Sequence, residues 1–288
     1  MVLGVPVRKL ESTDAFLVTD LPEAPVAVGV VRVAPKVLVD GAELLARATT
    51  YAFATFGVRA SGASAGVNAK PDDRDGAIRA VVDELAPQVA DGRLHLSPGT
   101  GVTDADLSAW AVDPLDESFV ARGAVAAAAA FLGGGAGGRT AAVHGPDSWV
   151  DRIAPWWSDA GGGDVSEGGV DDDAEVLFVA GRAGLLDHEH AGAVTARLVV
   201  PLTPVPVTAK AYATLSRAGT VLLPDAVSCA APLLAVVDPE GGDPVERVAS
   251  AAGELSGQGV DAWRAMVTSA EAFLSSWLPS LPFGRPLA

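Results

Sequence analysis

The chain has 288 residues, of which 49% are hydrophobic, and this length and composition suffice for two domains with buried cores. Its 36 acidic and 20 basic side chains leave a formal net charge of -16, which disfavours nucleic acids and anionic membrane surfaces as partners because both are negative. The single cysteine, Cys229, excludes an internal disulfide and indicates a reducing, cytoplasmic setting.

Two other features of composition concern export and source. Residues 124–132 form the longest apolar stretch, well short of the ~20 residues that span a bilayer, and Glu11, Asp14 and Asp20 interrupt any signal-peptide core. We therefore expect a protein that is neither exported nor inserted in a membrane. Few lysines accompany the acidic excess, which is typical of a salt-adapted, halophile-like proteome or of a high-GC genome.

In the first part of the chain, hydrophobic periodicity predicts alternating strands and helices. The Val-rich residues 26–33 are typical of a buried strand, and residues 42–53 show apolar positions at helical spacing, with Asp40 as the predicted N-cap. A strand around Val67 and a helix at residues 73–90 follow. This alternation predicts an α/β domain.

A second series of elements begins near residue 118. It opens with an Ala-rich helix at residues 122–132 and a flexible G-G-G-A-G-G segment at residues 133–138. We predict strands at residues 139–144, 173–179 and 196–200, and helices at residues 186–193, 208–217 and 260–278. The acidic, glycine-rich residues 161–173 are predicted to form an exposed loop.

Four segments carry a resemblance to a known family. They are G-V-V-R from Gly29, L-A-R-A-T-T-Y-A-F-A from Leu45, S-G-A-S-A-G from Ser61 and G-T-V-L-L-P-D from Gly219. In order and spacing they resemble the G-G-x-R, L-A-R-x-M-T-x-K-x-A, G-G-x-K-G-G and x-G-x-x-V-x-P-D segments of the glutamate/leucine/phenylalanine/valine dehydrogenases. The resemblance implies two α/β domains. Residues 1–124 would form an N-terminal substrate- and oligomerisation-type domain, and residues 125–288 a degenerate Rossmann-like domain with a C-terminal helix.

In that family two lysines carry the chemistry, one by binding the substrate carboxylate and one by assisting water or ammonia at the imine carbon. The resemblance places these lysines at Ala52 and Ser64, neither of which is basic. Arg59 and Lys70 are the basic residues nearest in sequence that could compensate. The family's catalytic aspartate maps onto Asp106, which could equally be a surface or capping residue.

Three further positions have lost the side chains that the resemblance leads one to expect. An asparagine of the family maps onto Pro204, a substrate-contacting serine onto Val236 and a cofactor-contacting threonine onto Val120. None of the three replacements has a side chain that forms hydrogen bonds. They indicate loss of substrate and cofactor contacts.

The dinucleotide fingerprint G-x-G-x-x-G is also altered. Only its first glycine, Gly145, is kept, while Asp147 places a carboxylate where a diphosphate would bind and Trp149 adds bulk to the turn. The short distance to the next predicted strand indicates that the strand carrying the ribose-binding acid is lost, with Asp164 and Glu167 as the only nearby candidates. We therefore expect no cofactor, or NAD or NADP if the protein is an active enzyme.

Other residues that resemble sites have simpler interpretations. His188 and His190 in D-H-E-H resemble a metal pair, but a solvated helix N-terminus is favoured because no third ligand is near in sequence. Cys229 lies among small residues and is predicted to be a buried thiol rather than a nucleophile. Three tryptophans are predicted to be core residues, or else to fill the nucleotide cleft or form an interface: Trp149, Trp156 and Trp157.

Three hypotheses for function follow. The first is an amino-acid dehydrogenase homologue without its catalysis, in other words a pseudoenzyme with a scaffolding or regulatory role, which associates with itself or with a related dehydrogenase. The alternative is an active NAD(P)-dependent oxidoreductase that acts on the CH-NH2 group of an amino acid with altered specificity. It predicts that Arg59 or Lys70 points at Asp106. The third is a small-molecule sensor that uses the former active-site cleft.

Overall fold

The computed structural model describes residues 6–110, 117–281 and 286–288. The chain divides into two compact units, which are described separately. Unit 1 comprises Met1–Leu115 with Trp277–Pro286, and unit 2 comprises Asp116–Ser276 with Leu287–Ala288. The boundary after residue 124 expected from the resemblance falls inside a helix of unit 2.

Unit 1 contains a five-stranded mixed sheet with helices on both faces. Its strands are β1 (Val7–Lys9), β2 (Ala15–Thr19), β3 (Ala27–Ala34), β4 (Ser61–Asn68) and β5 (Leu94–Pro98), and its helices are α1 (Val39–Thr55), α2 (Arg74–Ala90) and α3 (Asp104–Leu107). The strand order is β1-β2-β4-β3-β5, with β3, β4 and β5 parallel and β1 and β2 antiparallel. The predicted strand around Val67 and the predicted helices before and after it are confirmed.

The two faces of this sheet follow from the alternation of side chains along β3. Val31 and Val33 point to one face and pack with Val81 and Leu85 of α2 in a continuous hydrophobic core. The opposite face is covered by α1, which lies so close to β4 that a side chain on Gly62 would overlap the carbonyl oxygen of Ala46. The chain runs from β3 through α1 to β4 on one side of β3, and then through α2 to β5 on the other side. The strand order therefore reverses at β3.

The predicted N-cap of α1 is wrong. The helix begins at Val39 after Leu38, which has extended backbone angles and forms no side-chain capping bond, so Asp40 lies inside the first turn. A carboxylate in that turn still interacts favourably with the helix dipole. The sequence pattern therefore located the acidic start of the helix but placed the cap two residues late.

Unit 2 has a parallel five-stranded sheet in a Rossmann-like arrangement. Its strands are β6 (Ala141–His144), β7 (Val165–Glu167), β8 (Val176–Val179), β9 (Leu198–Pro201) and β10 (Val221–Leu222). Its helices are α4 (Glu117–Phe131), α5 (Ser148–Asp159), α6 (His188–Ala193), α7 (Ala209–Ala218), α8 (Asp225–Ser228), α9 (Ala231–Val237), α10 (Pro244–Leu255) and α11 (Ala262–Ser275). The strand order is β10-β9-β8-β6-β7 with every pairing parallel, so the α/β fold with a Rossmann-like second domain is confirmed.

The prediction of an exposed loop at residues 161–173 is wrong in its middle, because β7 forms there. Ala141 N donates to Asp164 O at 2.9 Å and Gly168 N donates to Val143 O at 3.1 Å, which extends the ladder between β6 and β7. A three-residue edge strand held by main-chain bonds to one neighbour needs no apolar run, so periodicity does not reveal it. The chain then returns to β8 without a helix, and Val170 on this return is buried.

Within the described residues, no helix has the length and apolar character needed to cross a bilayer.

Candidate functional site

The first candidate site lies in unit 1 at the carboxyl ends of β3 and β5, where the strand order reverses. In open α/β sheets such points form crevices in which ligands bind. Gly99 follows β5 and donates its N–H to Val31 O at 2.8 Å, so the chain after β5 continues alongside the end of β3. We call this region the β3 site and define it by Arg32, Ser64, Gly66 and Gly99.

The positions that the resemblance assigns to the two lysines are buried and carry no charge. Ser64 is fully buried in β4, opposite Val30 in the parallel register, and Ala52 on α1 is 4% exposed. Neither side chain can bind a carboxylate electrostatically or take a proton at neutral pH. The chemistry that the family assigns to these positions is therefore not available from them.

Arg32 is the cation that the structure places at Ser64. Its Nη2 donates to Ser64 Oγ at 3.4 Å, and its paired residue in β4 is Gly66. Its Nε is buried and has no acceptor within the described part of the chain. Burial lowers the pKa of the Arg32 guanidinium, although arginine stays protonated in proteins. In the sequence, Arg32 was identified only as part of G-V-V-R. An arginine inside an apolar strand could by itself have indicated a functional residue.

The two basic residues expected to compensate lie elsewhere. The Arg59 guanidinium carbon sits 5.8 Å from the centre of the Trp277 ring, and Lys70 precedes a short 3-10 turn and borders an exposed groove. The expectation that one of them points at Asp106 is wrong, because the cation that pairs with Asp106 is Arg74.

Asp106 is held in the capping box that starts α3. Its Oδ2 accepts from Thr103 N at 2.8 Å and from Thr103 Oγ1 at 2.9 Å, while Arg74 Nη1 donates to its Oδ1 at 3.2 Å. The bond from Arg74, together with those from Thr103, lowers the pKa of Asp106 to about 2. A carboxylate with so low a pKa is a weak proton acceptor at neutral pH. This geometry supports the capping role for Asp106.

The second candidate site is a cleft in unit 2, with a volume of about 600 Å³, at the carboxyl ends of β6, β7 and β8. The reversal of strand order in this sheet occurs at β6, as in nucleotide-binding folds. The lining residues lie at the ends of the three strands or in the segments that follow them: His144, Gly145, Pro146, Glu167, Gly168, Gly169, Ala180, Gly181 and Leu185. We call it the β6 cleft.

The glycine turn before α5 is less obstructed than its sequence indicates. Gly145 has φ +155°, and a side chain there would collide with the carbonyl of Ala180, so glycine is required. The obstruction expected from Trp149 is not found, because its indole is 8% exposed, lies 5.2 Å from the Arg152 guanidinium and does not line the cleft. Asp147 is exposed at the N-cap of α5 and also lies outside the lining.

Glu167 occupies the end of β7 and lines the β6 cleft. In dinucleotide-binding folds an acid about 20 residues after the glycine turn hydrogen-bonds the ribose, and Glu167 follows Gly145 by 22 positions. The expectation that this strand was lost is therefore wrong. Between β7 and β8 the described residues contain no helix.

The D-H-E-H segment forms a helix N-terminus, as predicted. Asp187 caps α6 by accepting from Glu189 N at 2.9 Å and from His190 N at 3.0 Å. The His190 ring stands 6.4 Å from the ring of His144. Among residues 6–110, 117–281 and 286–288, no three His, Cys, Asp or Glu side chains are arranged to hold a metal ion.

The remaining residues singled out in the sequence are mostly core residues. Cys229 is buried, and burial raises the pKa of its thiol well above the ordinary value, so the prediction of a buried thiol is confirmed. Trp157 is fully buried, meets Phe178 edge to face at 5.6 Å and donates to Arg139 O at 3.0 Å. Trp156 differs, because it is 38% exposed and stacks under the Arg122 guanidinium at 4.9 Å.

The loop after β9 is held by a buried carboxylate. Val205, with φ +55°, donates its N–H to Asp225 Oδ2 at 2.7 Å, and this turn includes Pro204. Burial raises the pKa of Asp225 to about 6, against the opposing effect of its backbone hydrogen bonds. The other two altered positions, Val120 and Val236, lie in α4 and α9.

Titration of Asp225 should lower the free energy of unfolding as the pH rises through the weakly acidic range. Because its pKa is raised in the folded state, its contribution is fully present below about pH 4 and is lost by about pH 6, a change on the order of 3 kcal/mol. Urea unfolding of the wild type and of Asp225→Asn between pH 4 and pH 7.5 measures this. The stability of the wild type relative to the variant should decrease across that range, and parallel profiles would contradict the assignment.

Comparisons with known proteins bear on the fold. No protein-family model and no curated protein matches the chain. Among solved structures it is similar to the hetero-hexameric glutamate dehydrogenase of Thermus thermophilus in its leucine-bound form, at 18% identity over 92% of this chain and 86% of that one, with a TM-score of 0.71.

Two further solved structures show the same likeness. L-tryptophan dehydrogenase from Nostoc punctiforme is 16% identical over 96% of both chains, with a TM-score of 0.68. Glutamate dehydrogenase from Plasmodium falciparum is 12% identical over 92% of this chain and 80% of that one, with a TM-score of 0.67. At these identities the comparisons show that the chain has the fold of amino-acid dehydrogenases.

Proposed function

We propose that this protein is a diverged amino-acid dehydrogenase homologue that has lost oxidative deamination and acts as a scaffolding or regulatory subunit. The observation that carries the proposal is the pair of buried, uncharged residues, Ala52 and Ser64, at the positions where the resemblance places both lysines. The similarity of fold over nearly the whole chain supports the origin.

Of the described residues at the β3 site, neither Arg32 nor Ser64 supplies a substitute base. Deamination needs a group that exchanges a proton near neutral pH. Arg32 is permanently protonated, and Asp106 is bound to Arg74 and Thr103 with a pKa of about 2. Ser64 has an ordinary hydroxyl whose Oγ already accepts from Arg32.

The regulatory role would act through association with further copies of this chain or with a related dehydrogenase. One of the similar structures is titled as a hetero-hexamer, so a protein of this fold does assemble from non-identical chains. Association of the present protein can be measured by light scattering of the purified chain, alone and mixed with a dehydrogenase from the same cell.

The test of lost catalysis is an assay of NADH or NADPH formation from NAD or NADP with each of the twenty amino acids, and of NADH or NADPH consumption with ammonia plus the matching oxo acids. We expect no turnover above the rate without protein. The matched control is an active dehydrogenase of this fold assayed in the same buffers at low and molar salt. Turnover at a rate comparable with the control would overturn the proposal and support an active NAD(P)-dependent oxidoreductase.

A second candidate function, a nucleotide or nucleoside sensor, is favoured by Glu167 in the β6 cleft. Binding of NAD, NADP or adenosine should raise the melting temperature of the wild type, and Glu167→Gln should remove that rise. Glu189→Gln serves as the control, because Glu189 is an exposed residue on α6 outside the lining. A wild type whose melting temperature is unchanged by all three compounds contradicts this function.

A further inference from the structure

We propose that a groove at the amino ends of the parallel strands of unit 1 binds small carboxylates that carry an apolar group. The groove has a volume of about 300 Å³, and we call it the arginine groove. Six residues of its lining define it: Arg8, Leu17, Ala27, Gln88, Arg93 and Leu94. The inference goes beyond the proposed function and does not depend on loss of catalysis.

The position of the arginine groove follows from the order of the strands. Ala27 begins β3 and Leu94 begins β5, and the two residues are paired in the parallel register. On the other side of the groove, Arg8 of β1 is paired with Leu17 of β2. The groove therefore lies at the opposite end of β3 and β5 from the β3 site, which is at their carboxyl ends.

The floor of the groove is apolar. Leu17, Ala27 and Leu94 are buried and belong to the hydrophobic core between the sheet and α2. An apolar group of a ligand would leave water against side chains that are already packed, which is favourable. A volume of about 300 Å³ is at the small end of ligand pockets, so it suits a group of the size of one aromatic ring.

The rim of the groove is cationic. Arg8 Nη2 donates to Gln88 Oε1 at 2.9 Å, and within the described residues Arg8 forms no ion pair, so most of its five N–H donors are available. Arg93 Nη2 donates to Asp91 Oδ2 at 2.8 Å, but both side chains are well exposed. Because an exposed ion pair is weak, an anion can compete with Asp91 for this guanidinium.

The charge of the lining separates this groove from the other cavities described above. The β6 cleft is lined by Glu167. The groove beside Lys70 is lined by three aspartates: Asp14, Asp72 and Asp73. In a chain with 36 acidic and 20 basic residues, the described lining of the arginine groove contains two arginines and no carboxylate. Its local charge therefore favours an anionic ligand.

The negative groups near the groove do not fill it. Glu84 of α2 accepts from Ser12 Oγ at 2.6 Å, which holds its carboxylate at the loop before β2. Glu23 is exposed and lies outside the lining. At the C-terminal end of α2, the carbonyl of Gln88 accepts from Arg93 N at 3.0 Å, so this carbonyl already has a partner.

The chemistry of rim and floor together selects the ligand. A guanidinium binds a carboxylate through two parallel N–H···O bonds, and either Arg8 or Arg93 can supply them. The side-chain amide of Gln88 offers further N–H donors. A cation of the same shape would be repelled by the rim, and a carboxylate without an apolar group would not use the floor.

Calorimetric titration of the full chain with phenylacetate, acetate and benzylamine at matched ionic strength tests the site. We expect saturable binding of phenylacetate, binding of acetate that is weaker by about tenfold or more, and no binding of benzylamine. Arg8→Gln and Arg93→Gln should each weaken phenylacetate binding about tenfold, and the double variant should abolish it. Arg79→Gln is the matched control, because Arg79 is an exposed arginine of α2 outside the lining.

A further variant tests the charge of the groove without removing an arginine. Gln88→Glu would give Arg8 an internal carboxylate partner and should weaken phenylacetate binding about tenfold. Absence of saturable phenylacetate binding to the wild type overturns the proposal. Phenylacetate binding that the double arginine variant retains does so as well, because the ligand would then occupy another site. Benzylamine or acetate binding as tightly as phenylacetate would also contradict it.

Discussion

Replacing Asp20 by alanine is expected to lower the free energy of unfolding by about 3–5 kcal/mol, because it removes the carboxylate that binds the buried Arg47 guanidinium. Arg47 Nε donates to Asp20 Oδ1 at 2.7 Å and to Oδ2 at 2.9 Å, and Nη2 lies 2.7 Å from Oδ1. Each residue is 5% exposed. Burial raises the pKa of Asp20, and the charge of Arg47 opposes this rise.

The measurement is chemical unfolding of the wild type, Asp20→Ala and the double variant Asp20→Ala/Arg47→Met. The double variant should recover much of the loss, since a buried ion pair replaced by apolar side chains is often neutral. Asp91→Ala is the matched control, because it breaks the exposed pair with Arg93 and should cost at most about 1 kcal/mol. Equal losses from Asp20→Ala and Asp91→Ala would contradict the assignment.

Replacing Gly62 by alanine is expected to cost about 3 kcal/mol or more and to disturb the packing of α1 on β4. A methyl group at this position would overlap the backbone carbonyl of Ala46, which cannot move aside as a flexible side chain would. Gly62 also donates its N–H to Thr50 Oγ1 at 2.9 Å, so a hydrogen bond joins helix and strand where they lie closest. Relief would require α1 to shift away from the sheet.

Gly76→Ala is the control for this prediction. Gly76 lies in α2, where an added methyl meets nothing within 4 Å, so alanine should stabilise the protein by roughly 0.5–1 kcal/mol through helix propensity. Thermal and urea unfolding of both variants give the comparison. If Gly62→Ala were as stable as the wild type, α1 would not lie as close to β4 as described.

The predictable part of the fold was its succession of elements. The Val-rich β3 and the apolar spacing of α1 and α2 reflect which side chains are buried, and burial repeats with the period of the local backbone. The loss of charge at the two lysine positions could also be predicted, since Ala52 and Ser64 are uncharged wherever they lie. Edge strand β7 was missed because its stability comes from main-chain bonds to β6, which depend on pairing and not on composition.

By itself, the sequence determined the alternation of strands and helices, the dehydrogenase-like order of segments and the absence of both expected lysines. Only the tertiary structure decided which charges meet, because residues far apart in sequence are brought together by strand order and register. Arg32 meets Ser64 across β3 and β4, Arg74 binds Asp106, and Glu167 enters the β6 cleft. Each pairing depends on distance and on exclusion of water, and neither of these is encoded in local periodicity.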